Sequence, residues 1–365
     1  MRKRKLKRLI KVTAIALAVA ALSFTAAYLF FPAFFFKKPG HIKGGAAAAG
    51  KFDTDKVNIV LLGFDRDEAR GKKSEIFRPD TIMIASIDFN ERKVSLLSIP
   101  RDSYVKITGT EIYDKINHAY MYGYHAAEGE DKHKSGLDTT IRTIEDFLDG
   151  IPIHYYVTVD MESVEEIVDQ VGGVYFDVKY PVRAKYGTGK LLLDKGYQLL
   201  DGKKFLYYVR DRSVGGDFGR VSRQQEILIE AFRQVKERGK LKDIPALYRT
   251  VQSNVETNLS LGQIAQLAVF ALKLNPEDIS THVFSGSNQI APRNGVDIYY
   301  VVINEKRRVE LIKEVFGVDV PLRPQITLPG PSNKPEEPPE LPEPSEEFPE
   351  PPSLMPSDEF ENPSG

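Results

Sequence analysis

The 365-residue chain contains no cysteine. That absence excludes disulfides, thiolate nucleophiles and Cys-ligated zinc, and it fits any redox compartment. Neither sign of charge is in excess: 50 Lys+Arg against 51 Asp+Glu leave a formal net charge of −1. A uniformly basic nucleic-acid binder and a uniformly acidic solvating chain are thereby excluded. The phosphate-loop pattern G-x-x-x-x-G-K-S/T, the nucleophile elbow G-x-S-x-G and any internal repeat are also missing.

What is present is segregated. Residues 1–11 carry seven cations and no anion, whereas residues 329–365 carry ten acids and one Lys. The intervening 12–328 is left at +1. Residues 12–36 form an uncharged run of 25 residues. As a helix this run is about 37 Å long, more than the roughly 30 Å hydrocarbon core. It is too long for the apolar region of a cleaved leader, so an N-terminal transmembrane anchor is expected. The basic residues 1–11 are expected in the cytoplasm, with the rest of the chain outside, by the positive-inside rule. Eleven residues cannot hold a DNA-binding helix-turn-helix, so no nucleic-acid partner is expected. Residues 37–51 read as a spacer. Residues 329–365 hold 12 of the 23 prolines and read as a disordered tail. One extracytoplasmic domain remains, 52–328.

Within it, apolar periodicity predicts an α/β domain, a mixed central sheet flanked by helices. Strands are expected at Lys56–Gly63, Tyr155–Val159, Val174–Val178, Phe205–Arg210 and Ile298–Ile303. A hairpin is expected from Thr81–Asp88 and Lys93–Ile99. Helices are expected at Leu137–Leu148, Met161–Val171, Gly219–Arg238, Leu261–Leu274 and Lys306–Phe316.

Chemistry-bearing residues cluster in five stretches. Asp65 follows the first strand in LLGFDRDE (61–68), and Asp80 enters the second in RPDTIMIASID (78–88). Antiparallel pairing puts both carboxylates at one sheet edge, the usual protein share of a Mg²⁺ site completed by substrate phosphates. In KVSLLSIPRDSYV (93–105), Pro100 fixes a turn that projects Arg101 from a strand end, with Asp102 as the bland partner. In YYVRDR (207–212), strand alternation places Tyr208, Arg210 and Arg212 on one face. In GGDFGRVSRQQ (215–225), a Gly-rich loop enters a helix that presents Arg220, Arg223 and Gln224 on one face. Val221, Leu228, Phe232 and Val235 form the expected core stripe of that helix. Cations in a first helical turn oppose the macrodipole but suit an anion site. The bland reading pairs these Arg with Asp211 and Asp217. Together the Arg and Asp residues fit a pyrophosphate or phosphodiester with a divalent cation. His118, His125 and His133 fall in one expected loop, where metal binding is a minor reading.

These stretches, with DKINHAYMYG (114–123), GIPIHYYVTVD (150–160), VDQVGGVYFDV (168–178) and KGYQLLDGKKFLYYVRDR (195–212), resemble the LytR-CpsA-Psr family of bacterial cell-envelope proteins. They run in the family's order over about residues 57–230. The resemblance implies a membrane-anchored, extracytoplasmic phosphotransferase. Such an enzyme moves an anionic glycopolymer (teichoic acid, capsule or secondary wall polysaccharide) from a polyprenyl-pyrophosphate carrier to a peptidoglycan acceptor. It also implies Mg²⁺ (or Mn²⁺) held by Asp65 and Asp80. Arg101, Arg210, Arg212, Arg220 and Gln224 would contact the pyrophosphate, with Lys115 assisting and Arg223 less closely defined. Arg101 and Asp65 would serve catalysis, Asp65 orienting the attacking hydroxyl. Phe64 stands where the family commonly has a small polar residue, and Pro79 where Ser is common. The alternatives are a pyrophosphatase acting on the same carrier and a non-catalytic polyprenyl-phosphate-binding regulator.

Overall fold

A computed structural model describes residues 52, 54–64, 78–184, 189–252, 255–293 and 296–328. The expected anchor 12–36, the spacer, the acidic tail and Asp65 all lie outside these residues. None of the described helices is long and apolar enough to cross a membrane.

Fourteen strands are present among the described residues. They are β1 (Lys56–Phe64), β2 (Pro79–Asp88), β3 (Lys93–Ser98), β4 (Tyr104–Lys106), β5 (Tyr113–Lys115), β6 (Tyr155–Asp160), β7 (Val174–Val178), β8 (Val182–Arg183), β9 (Leu191–Leu193), β10 (Gly196–Leu200), β11 (Val255–Thr257), β12 (Ile279–Val283), β13 (Gly286–Arg293) and β14 (Val296–Ile303). The helices are α1 (Ala119–Ala126), α2 (Lys132–Phe147), α3 (Met161–Gln170), α4 (Gly202–Arg210), α5 (Gly216–Glu237), α6 (Ile244–Val251), α7 (Leu261–Lys273) and α8 (Glu305–Phe316).

The central sheet has the order β11-β6-β1-β2-β3-β12. It is mixed: β1 pairs antiparallel to β2 and parallel to β6, and β3 pairs antiparallel to β2 and parallel to β12. The period-2 pattern of β1 explains why it sits in the middle. Val60, Leu62 and Phe64 pack on one face with Leu137, Ile141 and Ile144 of α2 and Leu311 of α8. Val57 and Ile59 pack on the other face with Ile264 of α7. A third apolar cluster joins Val174 and Phe176 of β7 to Phe205 and Tyr208 of α4 and Ile227 of α5. The mixed, helix-flanked sheet and the β2–β3 hairpin agree with the sequence reading.

Two elements differ from it. Phe205–Arg210 is not a strand but the body of α4. Asp201 caps this helix by accepting from the Lys204 amide, and Phe205, Tyr208 and Val209 recur at helical spacing on its buried side. Arg210 and Arg212 therefore do not share a strand face with Tyr208, which is fully buried. Arg210 is the exposed last helical residue, and Arg212 lies beyond it. Helix α5 begins at Gly216, not Gly219, because Gly215 adopts φ 71° and accepts from the Gly219 amide at 2.8 Å. Its expected stripe holds only in part: Val221 is buried and Phe232 packs on an apolar cluster, but Leu228 is 40% exposed, and Arg220, Arg223, Gln225 and Gln234 are buried beside them. The inward face of α5 meets backbone polar groups as well as the apolar clusters that Ile227 and Phe232 join. The Gln225 amide donates to the Leu96 and His282 carbonyls and to Ser98 Oγ (3.4, 2.9 and 3.0 Å), and the Gln234 amide donates to the Tyr175 carbonyl at 2.6 Å.

The end of the described chain is fastened by a second polar cluster. Arg308, 1% exposed, donates to both carboxylate oxygens of Glu305 (2.7 and 2.6 Å) and to the Phe147 carbonyl at 2.8 Å, and it pairs with Asp149 at 2.6 Å. Arg323 donates to Asp149 at 2.8 Å and to the Asp146 carbonyl at 2.7 Å, and its amide donates to Glu305 at 2.9 Å. Gln325 accepts from the Glu305 amide at 3.0 Å and donates to the Ile303 carbonyl at 2.9 Å.

Candidate functional site

The C-terminal ends of β1 and β3 and the N-terminal end of β2 lie together because the first three strands are antiparallel. Asp80 enters β2 there. Two residues after β3, Pro100 turns the chain, and Arg101 swings back so that its Nη1 donates to Asp80 Oδ1. Arg101 Nε faces Asp102 at 3.4 Å, and Asp102 in turn pairs with Lys115 of β5 at 2.7 Å. Burial opposes the charged form of Asp102, but Lys115 and Arg101 together hold its carboxyl below the ordinary range.

From the opposite side α5 delivers Arg220. Its Nη2 donates to the Asp80 carbonyl at 3.0 Å and pairs with Asp217 Oδ1 at 2.9 Å. Arg212 Nε stands 3.5 Å from the same Asp217 oxygen. Burial is the main cause that pushes the Arg220 pKa down, with Arg212 and Arg101 adding repulsion that Asp217 offsets only in part. Gly219 is required for this docking: a Cβ there would stand 2.3 Å from the Val214 carbonyl oxygen.

Arg223 and Gln224 take other parts. Arg223 donates to the Val214 carbonyl at 2.9 Å and to the Asp211 carbonyl, and stacks over Tyr180 at 5.5 Å. It holds the 211–214 loop that presents Arg212. Gln224 donates to the Val209 carbonyl at 3.1 Å and accepts from Thr81 Oγ1 at 3.5 Å, tying α4 to β2. The macrodipole reading is also corrected. Arg220 lies in the second turn of α5, and the first turn carries the acid Asp217, as a helix start favours.

The arrangement is unfinished as an internal network. The Nε atoms of Arg101 and Arg220 and both oxygens of Asp217 are buried with no hydrogen-bond partner. Buried polar atoms without partners are costly, and they concentrate where a ligand is to be met. Three cations (Arg101, Lys115, Arg220) thus converge with Asp80, Asp102 and Asp217, with Arg212 at the rim. Sequence reasoning placed Asp102 and Asp217 only as bland partners, although both lie within motifs it had singled out.

These three histidines sit on helical elements, not in a loop, and His118 and His133 have polar partners. His118 Nδ1 is 2.9 Å from Asp114 and its Nε2 is 2.6 Å from Arg78 Nη1. His133 bridges Tyr120 and Glu256 (2.6 and 2.5 Å), and His125 ends α1. Among the described residues no group of three or more His, Cys, Asp or Glu could hold a metal ion. Behind the site, Asp114 is 1% exposed and pairs with Arg293. Burial opposes its charge, yet hydrogen bonds from His118 and Arg293 hold its carboxyl well below the usual range. Nothing in the sequence signalled the Asp114–Arg293 pair, whose members are 179 residues apart in numbering.

A guanidinium- and ammonium-lined anion site at one end of a mixed α/β sheet, with a strand-borne carboxylate at its centre, marks a protein that handles phosphate esters. The chain belongs to the LytR_cpsA_psr family, whose sequence profile matches residues 38–316. The polyisoprenyl-teichoic acid–peptidoglycan teichoic acid transferase TagT of Bacillus subtilis (strain 168) is 32% identical over 330 residues, covering 86% of this chain and 95% of that protein. The TagU transferase of Oceanobacillus iheyensis is 32% identical over 268 residues, covering 73% and 77%. The crystal structure of B. subtilis TagV has a TM-score of 0.59 at 29% identity, covering 74% of this chain and all of that one. A structure of TagT bound to LIIa-WTA has a TM-score of 0.57 at 28% identity, covering 77% and 98%.

Proposed function

We propose that the chain is a phosphotransferase that moves an anionic glycopolymer of the teichoic acid kind from a polyprenyl-pyrophosphate carrier onto peptidoglycan. The observation that carries this reading is the convergence of Arg101 and Arg220 on Asp80, with Lys115 held beside them by Asp102 and buried guanidinium N–H groups left to donate. The extent of the match to TagT supports it. The seven cations of residues 1–11 and the uncharged run 12–36 support a single-pass anchor. In this reading the N-terminus is cytoplasmic and the domain faces the cell wall.

A glycan hydroxyl attacks the polymer-proximal phosphorus. One O–P bond forms, the bridging P–O bond breaks, and polyprenyl phosphate leaves with the electron pair. Arg101 and Arg220 donate to the phosphoryl oxygens as charge moves onto the leaving phosphate, and Lys115 adds a third positive charge. Asp102 keeps Lys115 and Arg101 apart and oriented. In this proposal Asp65 orients the hydroxyl and takes its proton. The hard oxygen donor at Asp80, beside cations that hold phosphate, suits Mg²⁺ (or Mn²⁺), which takes one or two carboxylates and completes its shell with phosphate oxygens. Asp80 and Asp65 would hold the ion, which supplies further charge neutralisation at the pyrophosphate.

The test is reconstitution of the full chain in membranes with a lipid-linked polymer and uncrosslinked peptidoglycan. A polymer–peptidoglycan phosphodiester is expected, lost on chelation and restored by Mg²⁺. Free polymer phosphate as the sole product would establish hydrolysis instead. Asp80→Ala should abolish transfer while retaining most carrier binding; unchanged transfer in that variant would overturn the assignment.

A further inference from the structure

Away from the anion site lies a groove of about 950 Å³. One wall is the β4–β5 hairpin and the loop between its strands. The opposite wall is the end of α2, the start of α8 and the 323–327 segment. We infer that this groove is the acceptor subsite: it seats a peptidoglycan glycan strand and leads a sugar hydroxyl toward Arg101. The inference rests on the transferase reading above and names where its second substrate binds.

Three observations carry it. The first is continuity. In the β4–β5 register Tyr104 lies opposite Lys115, and Lys106 opposite Tyr113, so strand alternation puts all four on one face while Val105 and Asp114 turn inward. The groove therefore begins at Tyr104, one cross-strand pair from the Lys115 ammonium that touches Asp102. The second is chemistry. Tyr113 is 43% exposed and tilts against Tyr104 at 5.6 Å, and Tyr104 is braced edge-on by buried Tyr300 at 4.9 Å. Rigid tyrosine rings offer an apolar face to the C–H side of a pyranose and a hydroxyl to its edge. The third is charge. The groove holds three cations, Lys106, Arg308 and Arg323, against four carboxylates, and each cation is already tied to one of those carboxylates. A polyanionic donor gains nothing from that balance, whereas a glycan with hydroxyl and amide groups meets fixed donors and acceptors. The Arg308 and Arg323 bonds make the far wall rigid, so little ordering is left to be done on binding.

The experiment titrates an uncrosslinked peptidoglycan tetrasaccharide, without donor, into the full chain in detergent, and separately measures acceptor and donor KM in turnover. Tyr113→Ala should weaken tetrasaccharide binding and raise the acceptor KM by roughly three- to tenfold. Donor KM and kcat should hold, and Tyr113→Phe, which keeps the ring face and loses only the hydroxyl, should retain most of the binding. The inference is overturned by absence of tetrasaccharide binding to the native chain. It is equally overturned by native-like binding in Tyr113→Ala, or by an equal rise in donor KM. If Tyr113-dependent binding is seen but no phosphodiester product forms, the groove stands and the transferase reading falls.

Discussion

Two arginine clusters occupy this domain, and they are built to opposite ends. At the end of α2 and the start of α8, every guanidinium nitrogen of Arg308 donates, to Glu305 or to the Phe147 carbonyl, and Asp149 adds an ion pair. Around Asp80, Arg101 and Arg220 each leave a buried Nε without an acceptor, and Asp217 accepts no hydrogen bond on either oxygen. Both clusters are largely removed from water and use the same residue types. The first uses every guanidinium nitrogen of its central Arg, leaving only Asp149 Oδ2 without a hydrogen bond, and contributes to holding the fold. The second keeps part of its hydrogen-bonding capacity open, which is stable only because the scaffold around it fixes each side chain. Buried arginine alone therefore does not mark a site, and neither does one unpaired Nε, since Arg223 leaves its own unpaired while holding a loop; the clustering of several such groups around one carboxylate separates the two cases.

The comparison is broken most directly at Arg308. Arg308→Ala leaves Glu305 and Asp149 buried without their central partner and should cost about 3–5 kcal/mol of stability. Chemical denaturation measures that loss, and kcat of the remaining folded protein should be close to native. Arg101→Ala should show the converse: kcat/KM falling about 10²–10³-fold, with the melting temperature nearly unchanged because Asp102 keeps Lys115. A melting temperature that drops with Arg101→Ala, or a kcat at saturating acceptor that drops with Arg308→Ala, would dissolve the distinction. Gln225→Ala tests the support between the clusters. It strips hydrogen bonds from the Leu96 and His282 carbonyls and should cost about 1–3 kcal/mol, with a smaller loss of activity as α5 loosens over the sheet. The smallest effect is graded with pH. Asp114 has a folded pKa below its unfolded value, so its contribution is complete above about pH 4 and is lost as pH falls from there. One carboxylate sets a slope of at most about 1.4 kcal/mol per pH unit, and Asp114→Asn should flatten it in acid titrations of stability.

Much of the sheet was readable because β1, β2, β3 and β6 carry long apolar runs bounded by turn residues, and α2, α3, α7 and α8 carry clear 3.6-residue periods. Helix α4 was misread because Tyr207, Tyr208 and Val209 favour strands by composition. Its Asp201 cap and the Phe205–Tyr208–Val209 spacing were present in the sequence and outweigh that composition in the fold. The stripe on α5 held only in part, for a different reason. Periodicity assumes that an inward face is apolar, and here that face meets carbonyl groups through Gln225 and Gln234. Of the site, Arg101, Asp80 and Arg220 were legible because each sits near a strand end or helix start next to a Pro or Gly, whereas Lys115 was expected only from the family resemblance. Local sequence does not distinguish Arg220, which reaches Asp80, from Arg223, which is spent on loop carbonyls. Only the direction of α5 separates them. The Asp114–Arg293 pair and the Arg308–Asp149–Arg323 cluster join residues far apart in the chain, and no local pattern announces them.

The fastening of residues 323–325 has a mechanical consequence. These residues lie just before the proline- and glutamate-rich stretch that begins at residue 329. A pull on that stretch reaches the bonds of Arg323 to Asp149 and of Gln325 to Ile303 before it reaches α8. Those bonds act as a strain relief, like the clamp where a cable enters an instrument, and they decouple the domain's interior from tension on its trailing end.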